Sequence, residues 1–359
     1  RAFSSHAGIM GTLRLLATEG AFCLLIFVIP NILDSKRMAE LFKLLFWVFF
    51  AVALYGIYQA TVGLADWEIR YLASGFTQEI RQLYDTKVRV FSTLNSAVSL
   101  SNVMALCILL EVATIRPRKV FASAPSAAFF FIRVSAFFTA LVLTNTRTGL
   151  LVLVVGLVSM LFLVGPKRIL ALYVGGFAGL CLLVFFSDYF LANLPVYQEM
   201  LTGERYTSHN QFFRIGTWSD RLAGLAKLKE GSSWTPFGRE MDSNVGVAGA
   251  ERFESETFSH DIISLTVFTV GYVPLSIFAI FALFKLRRLH AWTLRPGLSQ
   301  RERCYFLGAF FGLFSSGLSA QTLLLFPVNF FFWVAVAYLL INAREAALAA
   351  KAARAEASE

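Results

Sequence analysis

The sequence predicts an all-α fold, a polytopic bundle of transmembrane helices, on three observations. Of its 359 residues, 57% are hydrophobic and 15% are charged, whereas soluble domains average about 45–50% apolar and about 25% charged residues. The apolar residues form continuous runs of the roughly 20-residue length that a helix needs to cross a bilayer. These runs do not alternate as the strands of a membrane barrel do. The composition excludes a disordered chain, a collagen-like repeat and a secreted disulfide scaffold.

Nine runs are long and apolar enough to be membrane spans, and they divide the chain into four parts. Residues 1–187 hold six spans, residues 188–260 form a hydrophilic loop, residues 261–343 hold three spans, and residues 344–359 form a tail. The predicted spans cover residues 13–33, 41–64, 93–115, 120–144, 148–165, 168–187, 261–285, 303–320 and 321–343.

The distribution of Lys and Arg orients the predicted bundle. The loops after the first, third, fifth and seventh spans, together with the tail, carry a large excess of Lys and Arg over Asp and Glu. The opposite face carries both charges in equal numbers. Because basic loops stay in the cytoplasm, we expect a cytoplasmic C-terminus. Nine crossings then place Arg1 outside, and we expect further helices before it. The formal charge of +9 is thus a topology signal, and nucleic acid is excluded as a partner.

The outer face holds two segments long enough to carry chemistry, residues 65–92 and the large periplasmic loop at 188–260. A long insertion between packed helices is usually functional. Within the large loop, apolar residues recur at helical spacing over residues 211–230, which predicts an amphipathic helix on the outer membrane surface. This helix is interpreted as a lid, a lipid-facing collar or a docking surface for a chain-length regulator, and the sequence does not choose among them.

His260 is the strongest candidate for a catalytic residue. It lies where the large loop enters a span, between Ser259, a plausible N-cap, and Asp261 in the first turn. The positive end of the helix dipole disfavours the imidazolium form. A neutral histidine at a water-accessible boundary suits a general base. The alternative is an interfacial residue with a polar tip, and His209, in a polar turn, is a weaker candidate.

Arginines at the outer face indicate an anionic ligand. Arg147 lies in a short polar hinge, residues 143–149, where the positive-inside rule disfavours a basic residue. It binds either an anion or lipid head groups. Arg214 and Arg221 share one side of the amphipathic helix, and converging arginines suit the bidentate recognition of pyrophosphate. Arg133, in the middle of a span, must face a cavity or a partner because its cost in lipid is about 2.5 kcal/mol or more.

Five short motifs follow one another at outer-face positions. They are Leu54-Tyr55-Gly56-Ile57-Tyr58-Gln59; Arg89-Val90-Phe91 with Leu94-Asn95; Asn145 to Gly149; Arg214 and Trp218 with Pro236-Phe237-Gly238; and His260-Asp261 with Gly271. In this order they resemble the O-antigen ligase and polysaccharide polymerase superfamily. Its members are polytopic membrane glycosyltransferases that take a glycan from undecaprenyl pyrophosphate on the periplasmic face. The chain departs from that family at Asp261, Arg239 and Pro274, where Asn, a small residue and Gly are usual.

The resemblance implies that His260 is the catalytic histidine and that Arg147 and Arg214 bind the donor pyrophosphate. We expect further candidate substrate contacts at Arg89, Arg221, Asp261 and Arg133. The expected enzyme lies in the bacterial inner membrane, inverts the anomeric carbon and uses no cofactor or metal. Its donor is an undecaprenyl-pyrophosphate-linked oligosaccharide. Its acceptor is a lipid A core in a ligase or a lipid-linked repeat unit in a polymerase, with the polymerase slightly favoured.

The sequence leaves two alternative functions open. A lipid-linked glycan flippase or transporter needs ionisable residues near mid-membrane and broken helices, and only Arg133 lies that deep. A peptidoglycan polymerase relies on a periplasmic acid, for which Asp261 is the candidate.

Overall fold

The structure, a computed structural model, describes residues 24–33, 35–73, 90–94, 96–114, 123–144, 146–162, 272–273, 276–277, 280, 300–319 and 321–356. These residues lie in helices or in short stretches beside them, and none of them is in a strand. The predicted all-α class is therefore confirmed for the described part of the chain.

The helices are numbered in chain order from α1 to α8. They are α1 (Leu25–Ile32), α2 (Ser35–Val62), α3 (Asp66–Ala73), α4 (Ala97–Thr114), α5 (Ala124–Leu143), α6 (Arg147–Phe162), α7 (Gln300–Ser319) and α8 (Val328–Glu356), with a 3-10 helix at Gln321–Leu324 before α8. The chain divides into two compact units, one made of residues 1–13, 167–285 and 317–321 and the other of residues 14–166, 286–316 and 322–359. All contacts described below lie within the second, which we call the main unit.

Three of the described helices are long and apolar enough to cross a membrane, at Glu40–Val62, Ala97–Thr114 and Ala124–Leu143. Each coincides with a predicted span. Three more predicted spans correspond to shorter apolar stretches, Arg147–Leu161, Cys304–Leu318 and Val328–Ile341. The remaining predicted spans lie mostly or wholly outside the described residues, so the described part shows three full-length spans where the sequence predicted nine along the whole chain.

Prolines shift two helix starts from their predicted positions. The span predicted from residue 120 begins at Ala124, because Ser123 caps it by accepting a hydrogen bond from the Ser126 N–H, and Pro125 occupies the first turn, where a missing N–H costs nothing. The last span, predicted from residue 321, begins at Val328, directly after Pro327. Proline cannot supply the N–H that a continuous helix would need there.

Helix α4 lies at the centre of the main unit. It packs against α2, α5, α6 and α8, and most of its residues are buried. By contrast, α2 and α5 expose large apolar side chains along their outer surfaces, among them Trp47, Phe129, Phe131 and Ile132. Apolar surfaces of this kind are stable against lipid rather than water. The bundle therefore has the character of a membrane protein, with α4 shielded from lipid.

Glycines allow α4, α6 and α7 to approach at backbone distance. A Cβ atom at Gly149 would lie 2.6 Å from the Ser101 carbonyl oxygen, and one at Gly312 would lie 2.7 Å from the Val152 carbonyl oxygen. A Cβ atom at Gly156 would lie 2.5 Å from a methyl group of Leu109. Membrane helices associate through such small residues because lipid offers no hydrophobic driving force between them.

We predict that Gly312→Leu destabilises the bundle, because the new side chain would overlap the backbone of α6. Overpacking of this kind costs about 1–3 kcal/mol or more. The measurement is thermal unfolding in detergent. Phe314→Leu is the matched control, since Phe314 lies two residues away on the same helix and is exposed. Equal melting temperatures for Gly312→Leu and the wild type would show that α6 and α7 do not pack at this glycine.

Candidate functional site

The hinge between α5 and α6 is built from threonines around Arg147. The Thr144 hydroxyl donates a hydrogen bond to the Leu141 carbonyl at 2.6 Å. It also lies 3.1 Å from the hydroxyl of Thr146. Helix α6 begins at Arg147, whose side chain is half-buried. Within the hinge predicted at residues 143–149, α5 therefore ends at Leu143 and α6 begins with an arginine, Arg147.

The first turn of α6 has the chemistry of an anion site. The first N–H groups of a helix have no intrahelical partner, and together with the helix dipole they favour negative charge. Thr148, the second residue of α6, is 94% buried, and its hydroxyl has no hydrogen-bond partner among the described residues. A buried hydroxyl without a hydrogen-bond partner lowers the free energy of unfolding by about 1–3 kcal/mol. A bound acceptor oxygen would offset that loss.

The start of α4 joins the hinge to the chain before α8. Ser96 caps α4 by accepting a hydrogen bond from the Ser99 N–H at 3.0 Å, and the Ser99 hydroxyl donates to the Phe326 carbonyl at 3.1 Å. The close approach of Ser101 to Gly149 brings the hinge against the same end of α4. We call this region, formed by the hinge, the start of α4 and residues 322–327, the hinge end.

A second group of buried polar side chains connects the hinge end to α7. The Ser316 hydroxyl donates to the Asn102 side-chain oxygen at 2.9 Å, and it lies 2.8 Å from the Thr322 hydroxyl. The Asn102 amide group donates in turn to the Val98 carbonyl at 2.7 Å. These bonds connect α4, α7 and the 3-10 helix.

The Tyr55-Gly56-x-x-Gln59 motif organises the connection between α2 and α4. The Tyr55 hydroxyl and the Gln59 amide group donate to the same carboxylate oxygen of Glu68, at 2.9 and 2.7 Å. The Gln59 side-chain oxygen accepts hydrogen bonds from the N–H groups of Phe91 and Ser92, both at 3.0 Å. Gly56 leaves room for the neighbouring chain, since a Cβ atom there would lie 3.2 Å from Val90.

Glu68 was not among the residues singled out in the sequence. Its side chain is 1% exposed, and its second oxygen accepts the Ala65 N–H at 2.7 Å. Ala65 and Glu68 occupy the N-cap and third positions of α3, so this bond is half of a capping box. The spacing of an acid three residues after a helix start was the signal available in the sequence, but the bonds to Tyr55 and Gln59 follow only from tertiary structure.

Arg133, in the middle of a predicted span, forms an ion pair with Glu111. Its Nε donates to Glu111 Oε1 and its Nη2 donates to Glu111 Oε2 at 3.2 Å. The guanidinium lies 4.5 Å from the ring centroid of Phe129 and 5.7 Å from that of Phe46. Glu111 is ten residues beyond Ser101 on α4, which corresponds to about 15 Å of helix. Arg133 therefore lies far from the hinge end, and its role as a substrate contact stays a prediction.

The other predicted site residues lie outside the described residues. They are His260, Arg214, Arg89, Arg221 and Asp261, together with His209 and the amphipathic helix predicted at 211–230. Of the two predicted pyrophosphate arginines, the structure thus describes Arg147. Among the described residues, no group of three or more His, Cys, Asp or Glu side chains could hold a metal ion.

Comparisons with protein-family models, with curated proteins and with solved structures found no match to this chain.

We predict that Glu111→Ala destabilises the protein by about 3–5 kcal/mol, because it leaves the half-buried Arg133 guanidinium without its carboxylate. The double variant Glu111→Leu/Arg133→Leu should recover most of this loss, since it removes both charges. Thermal unfolding in detergent measures both effects. A melting temperature of Glu111→Ala equal to that of the wild type would contradict the ion pair.

Proposed function

We propose that this chain is an inner-membrane glycosyltransferase that transfers an oligosaccharide from undecaprenyl pyrophosphate to an acceptor glycan on the periplasmic face. The observation that supports it best is the hinge, where Arg147, the start of α6 and the buried Thr148 hydroxyl occur together. These groups suit a phosphate oxygen. The apolar helices beside them suit a polyprenyl lipid, whose tail would stay in the bilayer.

The proposed topology has nine spans, with the large loop at 188–260 in the periplasm and the C-terminus in the cytoplasm. In this topology the hinge end faces the periplasm, because the hinge, the segment before α4 and the chain before α8 all belong to outer-face loops. The contacts among these three segments support their assignment to one face.

The proposed reaction is a direct displacement. His260 accepts the proton of an acceptor sugar hydroxyl, whose oxygen attacks the anomeric carbon of the donor. The bond from that carbon to the pyrophosphate oxygen breaks, and undecaprenyl pyrophosphate leaves with the electron pair. Arg147 and Arg214 stabilise the charge on the leaving group, as preorganised donors do in other sites. A single displacement inverts the anomeric carbon, and a pyrophosphate leaving group requires no metal to depart.

The acceptor determines which member of this class the protein is. A lipid A core as the acceptor would make it an O-antigen ligase, and a lipid-linked repeat unit would make it a polysaccharide polymerase. We favour the polymerase. The donor chemistry at the hinge is the same in both cases.

The second candidate function is a lipid-linked glycan transporter, which the Arg133–Glu111 pair favours. Ion pairs within membrane helices mark transport pathways in many proteins. Against this function, the carboxylate already neutralises the guanidinium, and aromatic rings lie close to it.

We predict that purified protein in detergent, given undecaprenyl-pyrophosphate oligosaccharide and a chelator, releases undecaprenyl pyrophosphate and forms a longer or ligated glycan. His260→Ala and Arg147→Ala should fold and lose about 100-fold or more of the rate, because each removes a group that acts in the transition state. The measurement is product formation by mass spectrometry, which also separates polymerase from ligase.

His209→Ala is the comparison variant, since it removes the weaker histidine candidate of the same loop, and the proposal expects it to keep the wild-type rate. Full activity of His260→Ala would refute the site. Movement of the lipid across a bilayer by the wild type without glycan transfer would favour the transporter.

A further inference from the structure

Gln59 bonds to two parts of the chain that are far apart in sequence. On one side its amide group donates to Glu68 in α3, and on the other its oxygen accepts two consecutive backbone N–H groups, those of Phe91 and Ser92. Both Gln59 and Glu68 are buried. A side-chain amide that satisfies a carboxylate and two backbone donors at once uses nearly all of its hydrogen-bonding capacity in one orientation.

The bonds of Ser92 extend this connection. Its hydroxyl donates to the Val52 carbonyl on α2 at 2.7 Å, and its backbone has a φ of 54°. A non-glycine residue in this left-handed region carries strain that its surroundings have to hold in place. The Gln59 oxygen and the Val52 carbonyl are the two groups that hold it, so the direction of the chain at Ser92 depends on them.

The chain leads from Ser92 directly into α4. Four residues later Ser96 caps that helix, and Ser101 then approaches Gly149 at the hinge. The chain from Ser92 to Ser101 therefore joins the buried contacts of Gln59 to the contact between α4 and the hinge. Arg89, a candidate substrate contact, precedes the first residue of this path, Val90, in the sequence.

We infer that Gln59, oriented by Glu68, is a positioning residue for the anion site at the hinge end: it sets the turn at Ser92 and so the position of α4 against the hinge. This inference rests on the proposed function, since the site it positions is the proposed donor site. Gln59 itself does not touch the substrate. Removing it should weaken donor binding more than it slows the chemical step, because it shifts the hinge that binds the pyrophosphate but leaves Arg147, which stabilises the leaving group, in the chain.

The test compares Gln59→Leu with the exchange variant Gln59→Glu/Glu68→Gln. The leucine keeps the size of the side chain and removes its hydrogen bonds. The exchange variant reverses donor and acceptor, since the carboxylate introduced at position 59 can accept from both backbone N–H groups and from the amide introduced at position 68. Thr61→Ala is the control, because the Thr61 hydroxyl bonds only to carbonyls of its own helix, those of Ile57 and Tyr58.

Three quantities are measured for each variant: hydrogen exchange at the Phe91 and Ser92 amides, KM for the undecaprenyl-pyrophosphate oligosaccharide, and kcat. We expect Gln59→Leu to lose protection at both amides and to raise KM by about tenfold, the scale of one or two lost hydrogen bonds, with a smaller change in kcat. The exchange variant should restore both protection and KM. Should Gln59→Leu not fold, Gln59→Asn replaces it, since its shorter side chain cannot reach both partners.

Unchanged protection in Gln59→Leu would overturn the bond to residues 91 and 92. Lost protection with an unchanged KM would overturn the positioning role and leave a purely structural one. A wild type that transfers no glycan would instead refute the proposed function, and the inference with it, so the two failures are distinguished by the wild-type rate.

Discussion

The burial of polar groups along α4 is the constraint on which the described bundle depends. A polar group in an apolar interior costs several kcal/mol unless it finds a partner. On α4 three such groups bond to other elements of the main unit: Ser99 to the Phe326 carbonyl, Asn102 to Ser316, and Glu111 to Arg133. Because each partner lies on a different part of the chain, these bonds determine which elements surround α4 and at which position along its axis each of them packs.

The two ends of α4 differ in chemistry. One end holds an ion pair with a structural role, and the other holds the groups of the proposed anion site. At the Glu111 end, one positive and one negative charge compensate each other beside aromatic rings. At the hinge end, the buried groups are hydroxyls and amides beside Arg147 at a helix start. An anionic ligand gains little from a guanidinium that a carboxylate already holds. At the hinge end, the start of α6 supplies the positive end of a helix dipole.

The Tyr55-Gly56-x-x-Gln59 motif joins three parts of the main unit through one set of hydrogen bonds. Tyr55 and Gln59 lie one helical turn apart, so both reach Glu68 from the same face of α2. Gly56 permits the close approach of Val90 that the Gln59 bonds require. The motif therefore supplies the contacts that join α2, α3 and the chain that enters α4.

The sequence by itself determined the helical class, the approximate positions of the described spans and the place of Arg147 between two of them. Apolar run length, helical spacing and proline placement are local properties, so they can be read without knowing the fold; even the shifted starts of α5 and α8 follow from Pro125 and Pro327. Only the tertiary structure decided that Glu111 pairs with Arg133, 22 residues along the chain, and that Glu68 is buried against Gln59. Those pairings depend on which helices become neighbours, and that in turn depends on side chains that meet only after the bundle has packed.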